Sequence, residues 1–454
     1  MKPATHSLVA LGRNAKQAML AAIGPRLRRL SLAGVVAMAL VVAGLMAYPA
    51  AFGDDRKGDE DRDQHWVSTW GTSPVAPLPT NTTNPGFTNQ TVRLIVHTSI
   101  GGDDVRVRLS NAFGANSLVI GAAHIALQSA GAGVIPGSDR VLTFSGSTSF
   151  TIPPGALVVS DPVELDVPAL SNLAVSIFVP GPTGQVTWHS AAHQTNYVST
   201  AGDFTSTTVL PVDHAVTSWF LLTDVEVKVS EGTSEIVTLG DSITDGTNST
   251  TDANHRWPNF LADRLLARHR RLAVVDEGIG GNRVLHDITG PNALARLDRD
   301  VLTKSGIRFV ILLEGINDIG FPNLPSANKA NLPPGTDLTD VSADDIIRGY
   351  KQIIARAHAR GVKIFGATLT PFEGALYFTA QGEVKREAVN EFIRTSEAFD
   401  GEIDFDAATH DPNHPTKFLP AFDSGDHLHP NDAGYQAMAN AVRLSLFRRD
   451  DEDD

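Results

Sequence analysis

The sequence predicts an α/β domain built on a parallel sheet, preceded by an all-β, sandwich-like domain. Two observations predict this. From about residue 64 to 232, short alternating stretches are punctuated by Gly and Pro, and no long amphipathic helix appears. From 233 onward, apolar strand-like runs alternate with helical patterns, the signature of repeated β-α units. A length of 454 residues fits two domains plus extensions.

The N-terminal 53 residues read as a signal peptide with a long basic n-region. Lys2, Arg13, Lys16, Arg26, Arg28 and Arg29 precede an apolar run at 30–47, and in Ala51-Phe52-Gly53 the small residues Ala51 and Gly53 then stand at cleavage spacing. The run also approaches the length of a membrane anchor, which is the alternative reading. Arg28-Arg29 raises a twin-arginine signal, but the residues that follow fit one poorly. A charged linker (54–63) and an acidic tail (449–454) read as solvated segments. The expected location is secreted or extracytoplasmic.

In the β region (64–232), 91–98 and 105–110 flank Gly101-Gly102-Asp103-Asp104 and predict a hairpin. Further strands are expected at 118–127, 140–144, 149–152, 157–159, 173–179, 186–190 and 219–229. His97, His189 and His193 are scattered through strand-like segments of this region and read as structural histidines rather than metal ligands. Trp66, Trp70 and Trp188 read as packing residues rather than a sugar platform.

In the second domain (233–448), strands are expected at 236–239, 272–275, 309–313, 362–368 and 403–406. Helices are expected near 257–270, 293–303, 343–359, 383–399 and 433–446. Within 343–359, Ile346, Ile347, Tyr350, Ile353, Ile354 and Ala357 recur at helical spacing, and Ser342 with Asp345 forms a capping-box pattern.

The formal charge of −14 argues against nucleic acid or an anionic membrane surface as partner. The absence of cysteine removes disulfides, thiolate metal sites and a cysteine nucleophile. Chemistry therefore has to come from other residues, and four motifs offer it. Gly240-Asp241-Ser242 follows the run Ile236–Leu239, placing a serine at the C-terminal end of a strand, where α/β sheets put their sites. Gly278-Ile279-Gly280-Gly281-Asn282-Arg283 follows the second strand, and Glu314-Gly315-Ile316-Asn317-Asp318 the third. Asp426-His427-Leu428-His429-Pro430 precedes the last helix. Ser242 is a candidate nucleophile, and His429 a candidate base oriented by Asp426. The competitors for that role are His427 and Asp423. The peptide N–H groups of Ser242 and Gly281, with the Asn317 amide, are candidate oxyanion donors. Asp241 and Asp245 read as structural, bonding loop backbone. Arg283 fits either a substrate contact or a surface salt bridge, and 374–382 suggests a flap over the site.

Each motif alone has a plainer reading: a turn, a tight βα connection, a helix cap, or a solvated or metal-binding loop. In this order they resemble the SGNH (GDSL) hydrolase family over about residues 235–448. Its named residues fall on Ser242, Gly281, Asn317 and His429, with Asp426 as the third triad member, and the first block reads Gly-Asp-Ser-Ile rather than Gly-Asp-Ser-Leu. The resemblance implies a flavodoxin-like three-layer α/β/α fold and ester hydrolysis through an acyl-enzyme, with no cofactor and no metal. The β region loosely resembles the sandwich that precedes this domain in some secreted bacterial members. The expected substrate is an acyl ester, either a small molecule or an acylated polysaccharide. The alternatives are a lipase or short-chain acylhydrolase, a non-catalytic carbohydrate-binding protein, and a metallohydrolase using Asp426, His427 and His429.

Overall fold

The computed structural model describes residues 64–77, 83–333 and 335–448. The expected signal peptide, charged linker and acidic tail lie outside the described residues. Among the described residues, no helix is long and apolar enough to cross a membrane.

The first half is antiparallel. One sheet runs in the order Gln64–Gly71, Leu222–Ser230, Gly102–Ser110, Leu157–Val159, with Val163–Val167 also pairing to Gly102–Ser110. A second runs Val212–Val216, Asn196–Ala201, Gln90–His97, Asn172–Val179, Ala122–Leu127, Arg140–Leu142. Val67, Val105, Val107, Val225 and Val227 from the first sheet and Leu94, Ile125, Val175 and Ile177 from the second share one buried apolar core. Each such side chain contributes about 1.5–3 kcal/mol by leaving water.

The expected hairpin between 91–98 and 105–110 does not form. Gln90–His97 pairs with Asn172–Val179, whereas Gly102–Ser110 pairs with Leu222–Ser230. The intervening segment crosses from one sheet to the other. Thr98 N donates to Ser171 O (2.8 Å) in one direction and Ser99 N to Thr69 O (2.9 Å) in the other. The glycines here serve close approach rather than a turn: a Cβ on Gly101 would lie 2.4 Å from Val167 O, and one on Gly102 would lie 2.6 Å from Lys228 O. Likewise 118–127 is two strands. Leu118–Ile120 pairs with Phe150–Ile152, and Gly121, packed against Phe178, separates it from Ala122–Leu127.

Parallel pairing begins at Ser234. The second sheet system runs Leu272–Gly278, Ser234–Gly240, Ile307–Leu313, Lys363–Ala367, Glu402–Ile403, all parallel. In chain order this is 2-1-3-4-5, the flavodoxin-like order, with its switch point between the first and third strands. Ile236, Val237, Leu239, Phe309, Val310 and Ile311 are fully buried, as continuous apolar strands covered on both faces require. Trp257–Ala267 packs with Asp432–Ala441, and Ala343–His358 with Ala380–Thr395. Right-handed crossovers on the two sides of a switch point place their helices on opposite faces. The capping box forms as expected: Ser342 Oγ accepts from Asp345 N (3.1 Å), and Asp345 Oδ2 accepts from Ser342 N (3.0 Å). The last expected strand is shorter than 403–406, because Asp404 caps the short helix Phe405–Thr409 instead.

The β-rich half covers the outer edge of the parallel sheet. Val274 N on the edge strand donates to Ser99 Oγ (3.1 Å), and Ser68 N donates to Glu235 Oε2 (3.0 Å). Ala273 and Ile279 join the β-rich core. An open strand edge is thereby closed.

Candidate active site

Ser242 opens a one-turn helix, Ser242–Asp245, at the end of the first parallel strand. Asp241 caps it, with Oδ1 accepting from Ile243 N (2.9 Å), and Gly246 closes it at φ 90°. As the first helical residue, Ser242 has a backbone N–H without an intrahelical partner. Burial pushes the Asp241 carboxyl up to about 7, against the hydrogen bond from Ile243.

His429 reaches Ser242 from the loop before Asp432–Ala441. His429 Nε2 lies 2.8 Å from Ser242 Oγ, and His429 Nδ1 lies 2.6 Å from Asp426 Oδ2. Asp426 Oδ1 accepts from the backbone N–H groups of Leu428 (3.0 Å) and His429 (2.8 Å), and Oδ2 also accepts from Asn248 Nδ2 (3.0 Å). Partial burial would raise this carboxyl, but these bonds from the His429 ring and backbone hold it well below the usual carboxylate range. A neutral imidazole satisfies both ring contacts, donating from Nδ1 to Asp426 and accepting the Ser242 hydroxyl at Nε2. The competing pair stands apart: His427 Nδ1 lies 2.5 Å from Asp423 Oδ2. Among the described residues, no group of three or more His, Asp or Glu side chains is arranged to hold a metal ion.

The second and third motifs emerge at the same sheet edge. Gly281 adopts φ 75°, a left-handed conformation that disfavours side chains, and a Cβ there would lie 2.8 Å from Thr289 Oγ1. Asn317 is buried. Its Nδ2 donates to Asn282 O (3.0 Å), and its Oδ1 accepts from Tyr377 OH (3.1 Å). Those two bonds fix the amide orientation and leave the second Nδ2 hydrogen for a ligand. Asp318 secures the neighbouring loop by accepting from Val284 N (2.7 Å) and Leu285 N (3.1 Å).

Other residues that shape the site were not legible as motifs. Arg296, fully buried, donates to Gly240 O (2.9 Å), Glu277 O (2.7 Å), Asn282 Oδ1 (2.9 Å) and Ser73 Oγ (2.8 Å), pinning the first two loops together. Tyr377 lies within 374–382, the expected flap. That segment instead contributes Ala375 and Tyr377 to the core, since the Tyr377 hydroxyl must reach Asn317 and its ring packs against Phe372 and Phe321. Arg283 is neither surface ion pair nor open substrate contact: it is buried and donates to His286 O (3.2 Å) and Asp287 O (3.0 Å). Burial pushes the His193 imidazole down to about 4, with Asp245 opposing. Trp70 packs edge-on against Trp219 (centroids 4.9 Å apart), and Trp188 stacks on Phe220 (5.9 Å).

No curated protein matches the chain. Among solved structures, it is similar to a carbohydrate acetylesterase family member from Sinorhizobium meliloti, at 16% identity and TM-score 0.35 over 47% of this chain and 97% of that one. It is also similar to an alpha/beta hydrolase enzyme from the metagenome of Lake Arreo, Spain (24% identity, TM-score 0.34, 47% and 94%). A third is a mutant of an acetyl-xylooligosaccharide esterase from Geobacillus Stearmophilus (20%, 0.35, 48% and 95%). The family model described as GDSL-like Lipase/Acylhydrolase matches residues 238–437. That segment contains all four motifs, and residues 238–437 thus form a GDSL-like lipase/acylhydrolase domain.

Proposed function

We propose that the protein is a secreted serine esterase that hydrolyses carboxylic esters through an acyl-enzyme formed on Ser242. The observation that carries this reading is the hydrogen-bonded series Ser242 Oγ, His429 Nε2, His429 Nδ1, Asp426 Oδ2. Ser242 Oγ attacks the acyl carbon as His429 Nε2 takes its proton. Asp426 orients the ring and balances the imidazolium that forms. The carbonyl oxygen becomes an oxyanion and receives hydrogen bonds from Ser242 N–H, Gly281 N–H and the Asn317 amide. Collapse of the tetrahedral adduct breaks the bond to the alcohol, which leaves with the proton from His429. Water then attacks the acyl group by the same route in reverse, releasing the acid and restoring Ser242.

For the substrate, an exported chain with a β-rich domain at 64–232 ahead of the hydrolase domain at 233–448 favours acyl groups carried on polysaccharide, and acetyl groups first among them. Acetylated xylan should be hydrolysed in preference to long-chain synthetic esters; a strong preference for long acyl chains contradicts the carbohydrate reading. For the reaction itself, Ser242→Ala should reduce hydrolysis of p-nitrophenyl acetate by at least about a thousandfold while the thermal unfolding transition stays in place. Full activity in that variant would sink the assignment.

A further inference from the structure

Asp245 ends the same one-turn helix that Ser242 begins, and it is buried at 3% relative exposure. A buried carboxylate needs partners. Asp245 Oδ2 accepts from Gly280 N (3.1 Å), and Oδ1 lies 3.1 Å from His189 Nε2. His189 comes from the β-rich half, on the two-residue strand Trp188–His189 paired with Trp219–Phe220. Its other nitrogen, Nδ1, lies 2.9 Å from Ser73 O, and its ring packs on Trp219 (centroids 5.8 Å apart). A carbonyl and a carboxylate are both acceptors, so the two contacts are satisfied together only when both ring nitrogens carry protons. Burial alone would lower the His189 pKa, but the Asp245 charge raises it; Asp245 in turn is held below its ordinary value by His189 despite its own burial. The pair is an ion pair inside the protein.

The loop this pair touches carries Gly281. Ile279 N donates to Gly240 O (3.0 Å), and Asn282 is held by Arg296 and Asn317. Between those anchors lie two glycines without side chains, and Asp245 grips the first of them at its N–H.

We propose that His189 is a positioning residue for ester hydrolysis: by fixing the Asp245 carboxylate, it sets the peptide of Gly280 and Gly281 relative to Ser242. The β-rich half thereby takes part in the site. The inference rests on the reading above, that Gly281 N–H receives the oxyanion. A displaced donor lowers kcat rather than raising KM, because its hydrogen bond strengthens only as charge develops.

The test uses two variants of the full chain that differ in reach. In His189→Gln the amide nitrogen falls near the Nε2 position and still donates to Asp245. In His189→Asn it falls near Nδ1, keeps Ser73 O and leaves Asp245 without its partner. With p-nitrophenyl acetate, well below each variant's unfolding transition, His189→Asn should lose about tenfold to a hundredfold in kcat with KM within about twofold. His189→Gln should stay within about threefold of the parent. Equal kcat values for the two variants, or losses that merely follow the folded fraction, overturn the proposal. Ser242→Ala, run in parallel, separates the two failures. If it is inactive while His189→Asn matches the parent, only the positioning role falls. If it is fully active, the esterase reading falls and takes the positioning role with it.

Discussion

Two histidine–aspartate pairs flank Ser242, built from the same two side-chain types and placed in opposite surroundings. His429 and Asp426 lie at the surface of the site, with the Asp426 side chain 43% exposed, and the free ring nitrogen faces a hydroxyl. His189 and Asp245 are sealed in, their side chains 3% and 4% exposed, and the second ring nitrogen faces a carbonyl. A hydroxyl can donate, so the two contacts of the first imidazole are met with Nδ1 alone protonated and Nε2 accepting. A carbonyl cannot, so the two contacts of the second imidazole are met together only when both ring nitrogens carry protons. The third partner decides which ring nitrogens must carry protons for every contact to be met.

The comparison breaks most visibly under matched substitutions. Asp426→Asn should lower kcat for p-nitrophenyl acetate by up to about ten-thousandfold, through loss of the correct His429 tautomer, with little change in the unfolding transition. Asp245→Asn should do the reverse in emphasis. Removing one charge of a buried pair costs about 3–5 kcal/mol, so denaturant unfolding should show a large loss of stability. If both variants shift stability equally, the division of labour between the pairs is wrong. Next in size, Asn317→Ala should reduce kcat about a hundred- to a thousandfold with KM little changed, as steady-state kinetics would show.

The smallest effect concerns the interface that holds the buried pair in place. Burial pushes Glu235, which accepts from Ser68 N of the β-rich half, up to about 7, with Lys304 opposing. The folded state therefore holds a proton that the unfolded chain releases nearer pH 4. Where the folded state binds more protons, stability falls as pH rises, here from the unfolded carboxylate range through about 7. The unfolding temperature should drop across that window, and Glu235→Gln, which cannot ionise, should shrink the drop. An unchanged pH profile would remove Glu235 from the interface account.

The parallel sheet and its loops were legible because their signals are local. Continuous apolar runs end in Gly240, Gly278 and Glu314-Gly315, and each loop emerges where its strand stops. The order of the motifs along the chain was enough to bring Ser242, Gly281, Asn317 and His429 together as candidates. What stayed hidden depends on distant partners. The 91–110 region has the alternation of a hairpin, but Ser171 and Thr69, far apart in sequence, pull its two strands into different sheets. Nothing near Arg296 announces that its guanidinium gathers Gly240, Glu277, Asn282 and Ser73, because those acceptors are spread over more than two hundred residues. Tyr377 sits in a segment whose two glycines suggest a flap, yet its hydroxyl orients Asn317. His189 reads as a structural histidine from sequence, and only its placement beside Asp245 ties it to the loop of Gly281.

The most direct test of the account is intact-protein mass spectrometry after treatment with a fluorophosphonate, which reacts with serines activated by a neighbouring base. A single phosphonyl adduct should form, map to the peptide holding Ser242, and be absent from Ser242→Ala and His429→Ala. An unlabelled parent protein, or an adduct that persists in Ser242→Ala, would contradict it.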